Sequence, residues 1–544
     1  MKRLLALAAL GALIAGCTQQ AQNGSGSSGA RHSWTVPGTL RIAIPAEPKN
    51  LNPLLASDTT DGMLARLMFD VLITADPKGN PLPSLAAQVP TLENGGISKD
   101  GLTVTYHLRS GVKWSDGVPL TSKDVKFTWQ AIMNKNNNVI SRHGYDYVAG
   151  IDTPDPTTVV VHLKQRFSPF VNTFFGESDS PMHIVPAHKL AQLPDVNQIP
   201  FNTEPVGSGP FKLAEWVHGD HLTLVPNDTY FQGAPKLKKI IVRFIPDENT
   251  EVNLLRTHDI DWMFEASYSK YPEVHGISGV DIPFNDINGY EGMQINTSRP
   301  MLKDVRVRQA IAYAIDKKRL LDTLTFDQEK IATEDLPDWM WAYNAHVKIY
   351  PHDINAAKQL LAQAGWTPGS DGVLTKGGEK LSLVLVLNVS NATRKAAAVQ
   401  IQSDLRKVGI EVQQKMFPTS TLFAPAGEGG ILQLGKFDLG LSGWFAGIDP
   451  DDSSNFLSTN LPPGGYNYTR YQSKEMDAAQ NAALTHFDQP TRKAAYAKVQ
   501  SLLADDVPQI FFWWDRQMQP INPDFKNFTP NPVTESWNAW QWSI

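Results

Sequence analysis

Cysteine is all but missing: one, Cys17, stands in 544 residues. If its thiol is used at the N-terminus, the rest of the chain has no disulfide, no thiolate metal site and no cysteine nucleophile. The catalytic signatures that spacing alone reveals are missing too. There is no H-E-x-x-H zinc helix, no G-x-S-x-G nucleophile elbow and no G-x-x-x-x-G-K-[ST] phosphate loop, since Phe437 stands where residues 430–436 would need a following Ser or Thr. His218 and His221 lie close together without the spacing of a zinc site and fit an exposed turn. Asp449, Asp451 and Asp452 have the beginnings of a calcium loop, but its glycine and distal glutamate are not at their places. The expectation is a chain that is not an enzyme and holds no cofactor and no metal.

A dominant charge is also lacking. Lys and Arg number 49 against 55 Asp and Glu, a net charge of -6, and no basic tract exceeds a few residues. That excludes nucleic acid as the expected partner. No apolar run reaches the roughly 20 residues that cross a bilayer. No period of 20–50 residues repeats, which excludes solenoids and propellers. With 42% hydrophobic and 19% charged residues the composition is that of a globular protein. About 510 residues follow position 33, too many for one compact core, so two or more lobes are expected.

What the N-terminus does have is an export pattern. Lys2 and Arg3 precede an apolar run over residues 4–14, the size of a secretory h-region. Ile14-Ala15-Gly16-Cys17 follows, and this resembles a bacterial lipobox. The resemblance implies a signal peptide over 1–16, cleavage before Cys17, and acylation of its thiol and new amino terminus. Residues 17–33 are polar and rich in Gly and Ser, a lipidated flexible linker with a reach of several nanometres when extended. Thr18 is not the Asp that favours inner-membrane retention in some two-membrane bacteria, so either membrane is open.

Beyond the linker, strands and helices mix throughout. Residues 40–44 (LRIAI) read as a strand, and Leu102, Val104, Tyr106 and Leu108 alternate as a half-buried one. Thr121 and Asp124 have capping-box spacing before a helix carrying Val125, Trp129, Ile132 and Met133. Residues 240–245, 248–256 and 260–264 form a βαβ-like pattern. Asp304 starts a helix with Val307, Ala310, Ile311, Ala314 and Ile315 on one face. Asp353 starts another, with Ala357, Leu360, Leu361 and Ala364 inward and Gly365 at its stop. A strand over 381–387, a helix over 393–408, a strand over 410–416 and the approach to Trp444 complete an α/β pattern.

Leu51-Asn52-Pro53, residues 67–72 (LMFDVL), Pro83-Ser84-Leu85-Ala86 and residues 100–129 (DGLTVTYHLRSGVKWSDGVPLTSKDVKFTW) form a series. Residues 205–211 (PVGSGPF) and 296–316 (NTSRPMLKDVRVRQAIAYAID) continue it in order. Together these segments resemble the extracytoplasmic solute-binding proteins of peptide-type ABC importers, family 5, which includes dipeptide-, oligopeptide- and nickel-binding proteins. The resemblance implies an α/β, two-lobed periplasmic-binding-protein-like fold (type II, large cluster C form) with an extra subdomain in the N-terminal lobe. Carried onto this chain, residues 34–286 and 516–544 form the larger lobe and 287–515 the second. The implied work is capture of a peptide-like solute and its delivery to ABC permease subunits with their ATPase, by a monomer outside the cytoplasm, periplasmic or at the cell surface. Non-peptide solutes (oligosaccharide, metal chelate, opine) and a ligand-sensing receptor fit the same closing cleft. Residues 207–210 read as a turn entering a strand and 114–117 as a hairpin corner, not as ligand contacts.

The same resemblance nominates ligand-binding residues. In peptide-binding relatives a Trp at a strand end is followed by an Asp that pairs with the ligand ammonium. Trp444 is present here, but Gly447 occupies the place of the Asp; Asp449 or Asp451 is the substitute carboxylate, or else both cap a turn through Pro450. Arg394 lies where dipeptide-binding relatives hold the ligand carboxylate. Thr59 and Thr60 follow the first strand, Trp341 lies in a Pro-x-x-x-Trp region, and Asn467 and Tyr468 follow a Gly-rich turn.

Overall fold

The computed structural model describes residues 31–463 and 465–544. Cys17 and the export segment lie outside the described residues. Two sheets organise the chain, each with its own core. The first runs Trp262–Met263, Thr39–Ile44, Lys239–Phe244, His221–Pro226, Phe211–Val217. Its first three strands are parallel and the rest antiparallel. The βαβ unit read at 240–264 is present, with the helix Glu248–Arg256 as its crossover; Thr39–Ile44 lies between its two strands. Leu40, Ile42 and Ile44 pair with Ile240, Val242 and Phe244, and this apolar ladder is buried.

A separate three-stranded antiparallel sheet, Thr103–His107, Thr158–Leu163 and Val148–Asp155, joins the first core as a subdomain. Val104, Tyr106 and Leu108 are buried as their alternation requires. Leu102 is not: its backbone N–H is held by the Asp100 carboxylate in the preceding turn, which leaves the side chain exposed. The helix Ser122–Met133 starts on the capping box, the Thr121 N–H donating to Asp124 Oδ2 at 2.7 Å. Gly207 and Gly209 are there for proximity, since a Cβ on either would overlap the carbonyl group of Met68.

The second sheet runs Lys330–Ile331, Gln509–Met518, Phe284–Ile295, Leu439–Phe445, Ser382–Asn388, Glu411–Phe417. Helices Val305–Ala314, Ile354–Gln363 and Ala392–Lys407 cover it, each begun by a side-chain cap, Asp304, Asp353 and Asn391. All five predicted inward residues of the first of these are buried; in the second, Leu360 is half-buried while Ala357, Leu361 and Ala364 are buried.

The antiparallel strands Phe284–Ile295 and Gln509–Met518 belong to both bodies. At one end Phe284 pairs with Met518 in the core of Ala43, Val252 and Met263. At the other, Met293 pairs with Ile510 in the core of the second sheet. Their register breaks between Asp286 and Tyr290, where the chain passes from one core to the other. The chain then returns to the first body, where Trp262, Phe525, Phe528 and Trp542 pack with ring centroids 5.0–6.2 Å apart.

Order already exists at His32, within the stretch expected as free linker to residue 33. Its N–H donates to Asp524 Oδ2 at 2.8 Å, and its ring stacks on Trp34, which stacks on His258. Nearby, fully buried Asp261 accepts two bonds from the Arg41 side chain at 2.8 and 2.9 Å, one from the Arg41 N–H and one from Asn522. This carboxylate ties the first strand to both neighbours of its C-terminal return. Asp261→Ala strands a part-buried guanidinium, and denaturant unfolding is expected to show a loss of about 3 kcal/mol.

Candidate functional site

A cavity of about 550 Å³ opens where the two hinge strands cross. Ile287 and Glu291 of one strand and Trp513, Asp515, Arg516, Gln517 and Met518 of the other form its floor. The rim of the first body supplies Thr59, Met63, Arg66, Met182, His183 and Glu265, and the C-terminal segment supplies Glu535. Glu329, Asn391, Thr393 and Phe445 close it from the second body. A concave site at the junction of two lobes is where a small molecule is most readily enclosed.

The lining is strongly acidic: Asp58, Glu177, Asp179, Glu265, Glu291, Glu329, Asp515 and Glu535 face it, with only Arg66 and Arg516 as cations. Both cations are engaged. Arg66 lies 3.7 Å from Asp70 and 3.5 Å from Glu177, and Arg516 donates to Asp286 at 2.8 Å and to the Gln328 carbonyl at 2.9 Å. Behind the floor Arg394 grips Glu291 through two hydrogen bonds. Glu265 sits in the left-handed region, φ 57°, a strained conformation for a side chain of its size, and its carboxylate accepts from the Thr59 hydroxyl.

Burial acts on these groups as expected for carboxyls without counter-ions. Glu535 is pushed up to about 7 by burial. Glu265 is pushed up to about 7 by burial and then by the charges of Glu535 and Asp58. Glu329 is raised by burial and by Asp515; Asp515 is raised by burial and by Glu291, with Arg394 opposing. His183 is buried, its Nδ1 lacks a partner, and burial together with Arg66 holds it neutral, down at about 3.

The residues nominated from sequence separate into groups. Thr59 lines the cavity, while Thr60 beside it is buried. Arg394 lies beneath the floor with its charge spent on Glu291. Trp444, Asp449 and Asp451 line a narrow side crevice that shares Glu177 and Asp179 with the main cavity. Of these, Asp449 accepts from Arg492 at 2.6 Å and from Asn172 at 3.2 Å, and Asp451 caps the Ser453 N–H at 3.0 Å, so both carboxylates have internal partners. Trp341 stands away from the cavity, its ring beneath the Arg492 guanidinium. Asn467 is fully buried and braces the Leu457 and Tyr471 carbonyls, and Tyr468 packs in a small apolar cluster with Phe437. Among the described residues no group of three or more His, Cys, Asp or Glu has the arrangement of a metal site.

Gly447 explains itself in this geometry. The backbone of residues 177–178 from the first body lies directly against it, and the Ile448 N–H donates to the Glu177 carbonyl at 2.9 Å. A Cβ at 447 would overlap that carbonyl oxygen, so an Asp there is incompatible with this approach of the lobes. The second body touches the first again at Ser168, whose N–H donates to the Leu484 carbonyl at 2.7 Å.

Two outcomes follow from these contacts. Gly447→Asp is expected to hold the lobes apart, seen as a larger radius of gyration by small-angle scattering than the parent protein shows under the same conditions. The carboxyls give a pH dependence of known sign. Glu265 and Glu535 keep their protons to about 7 in the empty folded protein but release them near 4.5 when unfolded. Their stabilisation is therefore whole below about 4.5 and is lost as pH rises through 7. The melting temperature of the ligand-free protein should fall between pH 5 and pH 8, and Glu535→Gln should flatten that slope.

Comparison with known proteins agrees with the architecture. Residues 80–468 match the family described as bacterial extracellular solute-binding proteins, family 5 Middle. The oligopeptide-binding protein AppA of Bacillus subtilis is 28% identical over 527 residues, covering 95% of this chain and 94% of that protein. Protein XP55 of Streptomyces lividans is 30% identical over 478 residues, covering 86% and 82%. The structure of B. subtilis AppA in complex with a nonapeptide superposes with a TM-score of 0.76 at 27% identity, covering 93% of this chain and 99% of that one. NikZ of Campylobacter jejuni in complex with Ni(L-His) superposes at 0.78 and 26%, covering 94% and 100%. Two cores joined by a doubled strand crossing, an acidic cavity at that crossing and this family match converge: the chain belongs to the family 5 bacterial extracellular solute-binding proteins.

Proposed function

We propose that this protein is the lipid-anchored receptor of an ABC import system, capturing a peptide or peptide-like solute between its lobes and presenting it to a membrane permease. The observation that carries the reading is the cavity at the strand crossing, whose wall is drawn from both lobes, so that enclosure of a solute and closure of the joint are one event. The lobes are taken as 34–286 with 516–544, and 287–515. In this reading Thr59 belongs to the rim, and Trp444 with Asp449 and Asp451 forms a side pocket for a ligand's end. Arg394 acts through Glu291, while Thr60, Trp341, Asn467 and Tyr468 support the walls. Cys17 carries the anchor, and the polar stretch up to residue 31 is the tether. The oligopeptide-binding name of AppA and its bound nonapeptide favour a peptide; the Ni(L-His) complex of NikZ keeps a metal chelate as the second reading.

One strain set tests both halves. Deleting the gene should abolish uptake of at least one labelled oligopeptide, restored by the parent protein. Cys17→Ser should leave the protein outside the membrane fraction. Undiminished uptake of every peptide after deletion overturns the importer reading, and membrane retention of the Cys17→Ser protein overturns the anchor.

A further inference from the structure

We infer that the solute carries a cation on an apolar stem, an alkylammonium or guanidinium beyond any peptide amino terminus, seated among Glu329 and Asp515 on the second-lobe side of the cavity and Glu265 and Glu535 on the first-lobe side. The inference rests on the reading of this cavity as the solute site and specifies what that site selects.

Charge accounting comes first. The cavity's own cations face other acids: Arg66 lies at ion-pair distance from Asp70 and Glu177 with its Nη1 free of hydrogen bonds, and Arg516 donates to Asp286 and the Gln328 carbonyl. Arg394 spends its carboxylate hydrogen bonds on Glu291, its Nε donating at 2.9 Å, and bears on Asp515 only through its charge. No such partner reaches the other four carboxyls. Asp515 Oδ2 lies over Gly289, where even a methyl group would meet it at 3.4 Å, so the strand is bare at that point and the carboxyl is turned to the floor.

Glu329 supplies a separate observation. It is 6% exposed, it lines the cavity, and its Oε2 has no hydrogen-bond partner. A buried carboxyl oxygen left unsatisfied is unfavourable and uncommon in a folded protein, and a donor from an enclosed ligand would satisfy it. His183 on the opposite wall, 3% exposed with Nδ1 unpartnered, shows the same want of a polar partner.

The kind of cation can be narrowed. No three-membered metal-ligating group exists among the described residues, which favours an organic cation over a bare metal ion. Between the acidic walls lie Met182, Ile287, Phe445 and Met518, suited to the apolar stem of an alkylammonium or an arginine. The arrangement also gives the cation work to do. Ionised carboxyls on the two lobes repel as the cleft shuts; a cation between them turns that repulsion into attraction from both sides.

Calorimetric titration of the purified mature protein with Ala-Arg-Ala, Ala-Ala-Ala, Ala-Glu-Ala and spermidine tests this. Ala-Arg-Ala should bind at least tenfold tighter than Ala-Ala-Ala, and Ala-Glu-Ala weakest. Glu329→Gln combined with Asp515→Asn should collapse the Arg-to-Ala ratio towards one. Titration in buffers of different ionisation enthalpy should show net proton release with the arginine peptide. The groups that face the releasing carboxyls are Tyr268, Glu291, Arg394 and Arg516 around Glu329 and Asp515, and Asp58 with Thr59 around Glu265. Equal affinity for the three peptides overturns the inference and leaves the peptide reading standing. Binding of spermidine without any peptide supports the inference and overturns the peptide reading. Binding of none of the four probes, or an Arg-to-Ala ratio that the double variant does not change, overturns the inference.

Discussion

Everything in this molecule depends on one antiparallel ladder that two cores share. The strands Phe284–Ile295 and Gln509–Met518 are buried at opposite ends in different hydrophobic clusters. Neither lobe can fold away its end of the ladder without fixing the direction of the other. The register break between Asp286 and Tyr290 falls between the two clusters. Away from it the lobes meet through backbone contacts, Ser168 with Leu484 and Ile448 with Glu177, and through Leu457, Leu484 and Phe487 of the second lobe, which pack into the first lobe's core.

The ladder also decides the chemistry of the cleft. Its floor residues cannot be apolar throughout without becoming a third core that would fuse the lobes. Glu291 and Asp515 interrupt the strands at that level, and Arg394 satisfies only the first. Relatives that hold an ammonium beside the tryptophan strand would need space next to residue 447. Here the first lobe's backbone fills that space, and the unpaired acids lie deeper, along the crossing itself.

Local features were legible in the sequence because their physics is local. Asp304, Asp353 and the Thr121–Asp124 box cap helices within three residues of themselves, and an apolar strand such as Ser382–Asn388 declares itself by composition. The two-lobed class came from many motifs in order. The cavity did not, because Glu265, Glu329, Asp515 and Glu535 come from four separated stretches and nothing near each in sequence says that the fold gathers them around one space. Asp515 alone left a trace, a charge directly after the buried run of residues 510–514. Asn467 and Asp449 were nominated for polarity, yet both are consumed by internal partners, a distinction that only the fold makes.

The docking of His32 on Asp524, Trp34 and His258 has a mechanical meaning. Whatever precedes residue 32 is fastened to the first body, on the same side of the joint as the strand Thr39–Ile44 and the C-terminal return. A pull applied through the N-terminus is borne by a parallel sheet and an aromatic cluster, and it exerts almost no torque about the strand crossing. Among the described residues the second lobe makes no hydrogen bond to residues 32–35 and bears none of that load directly.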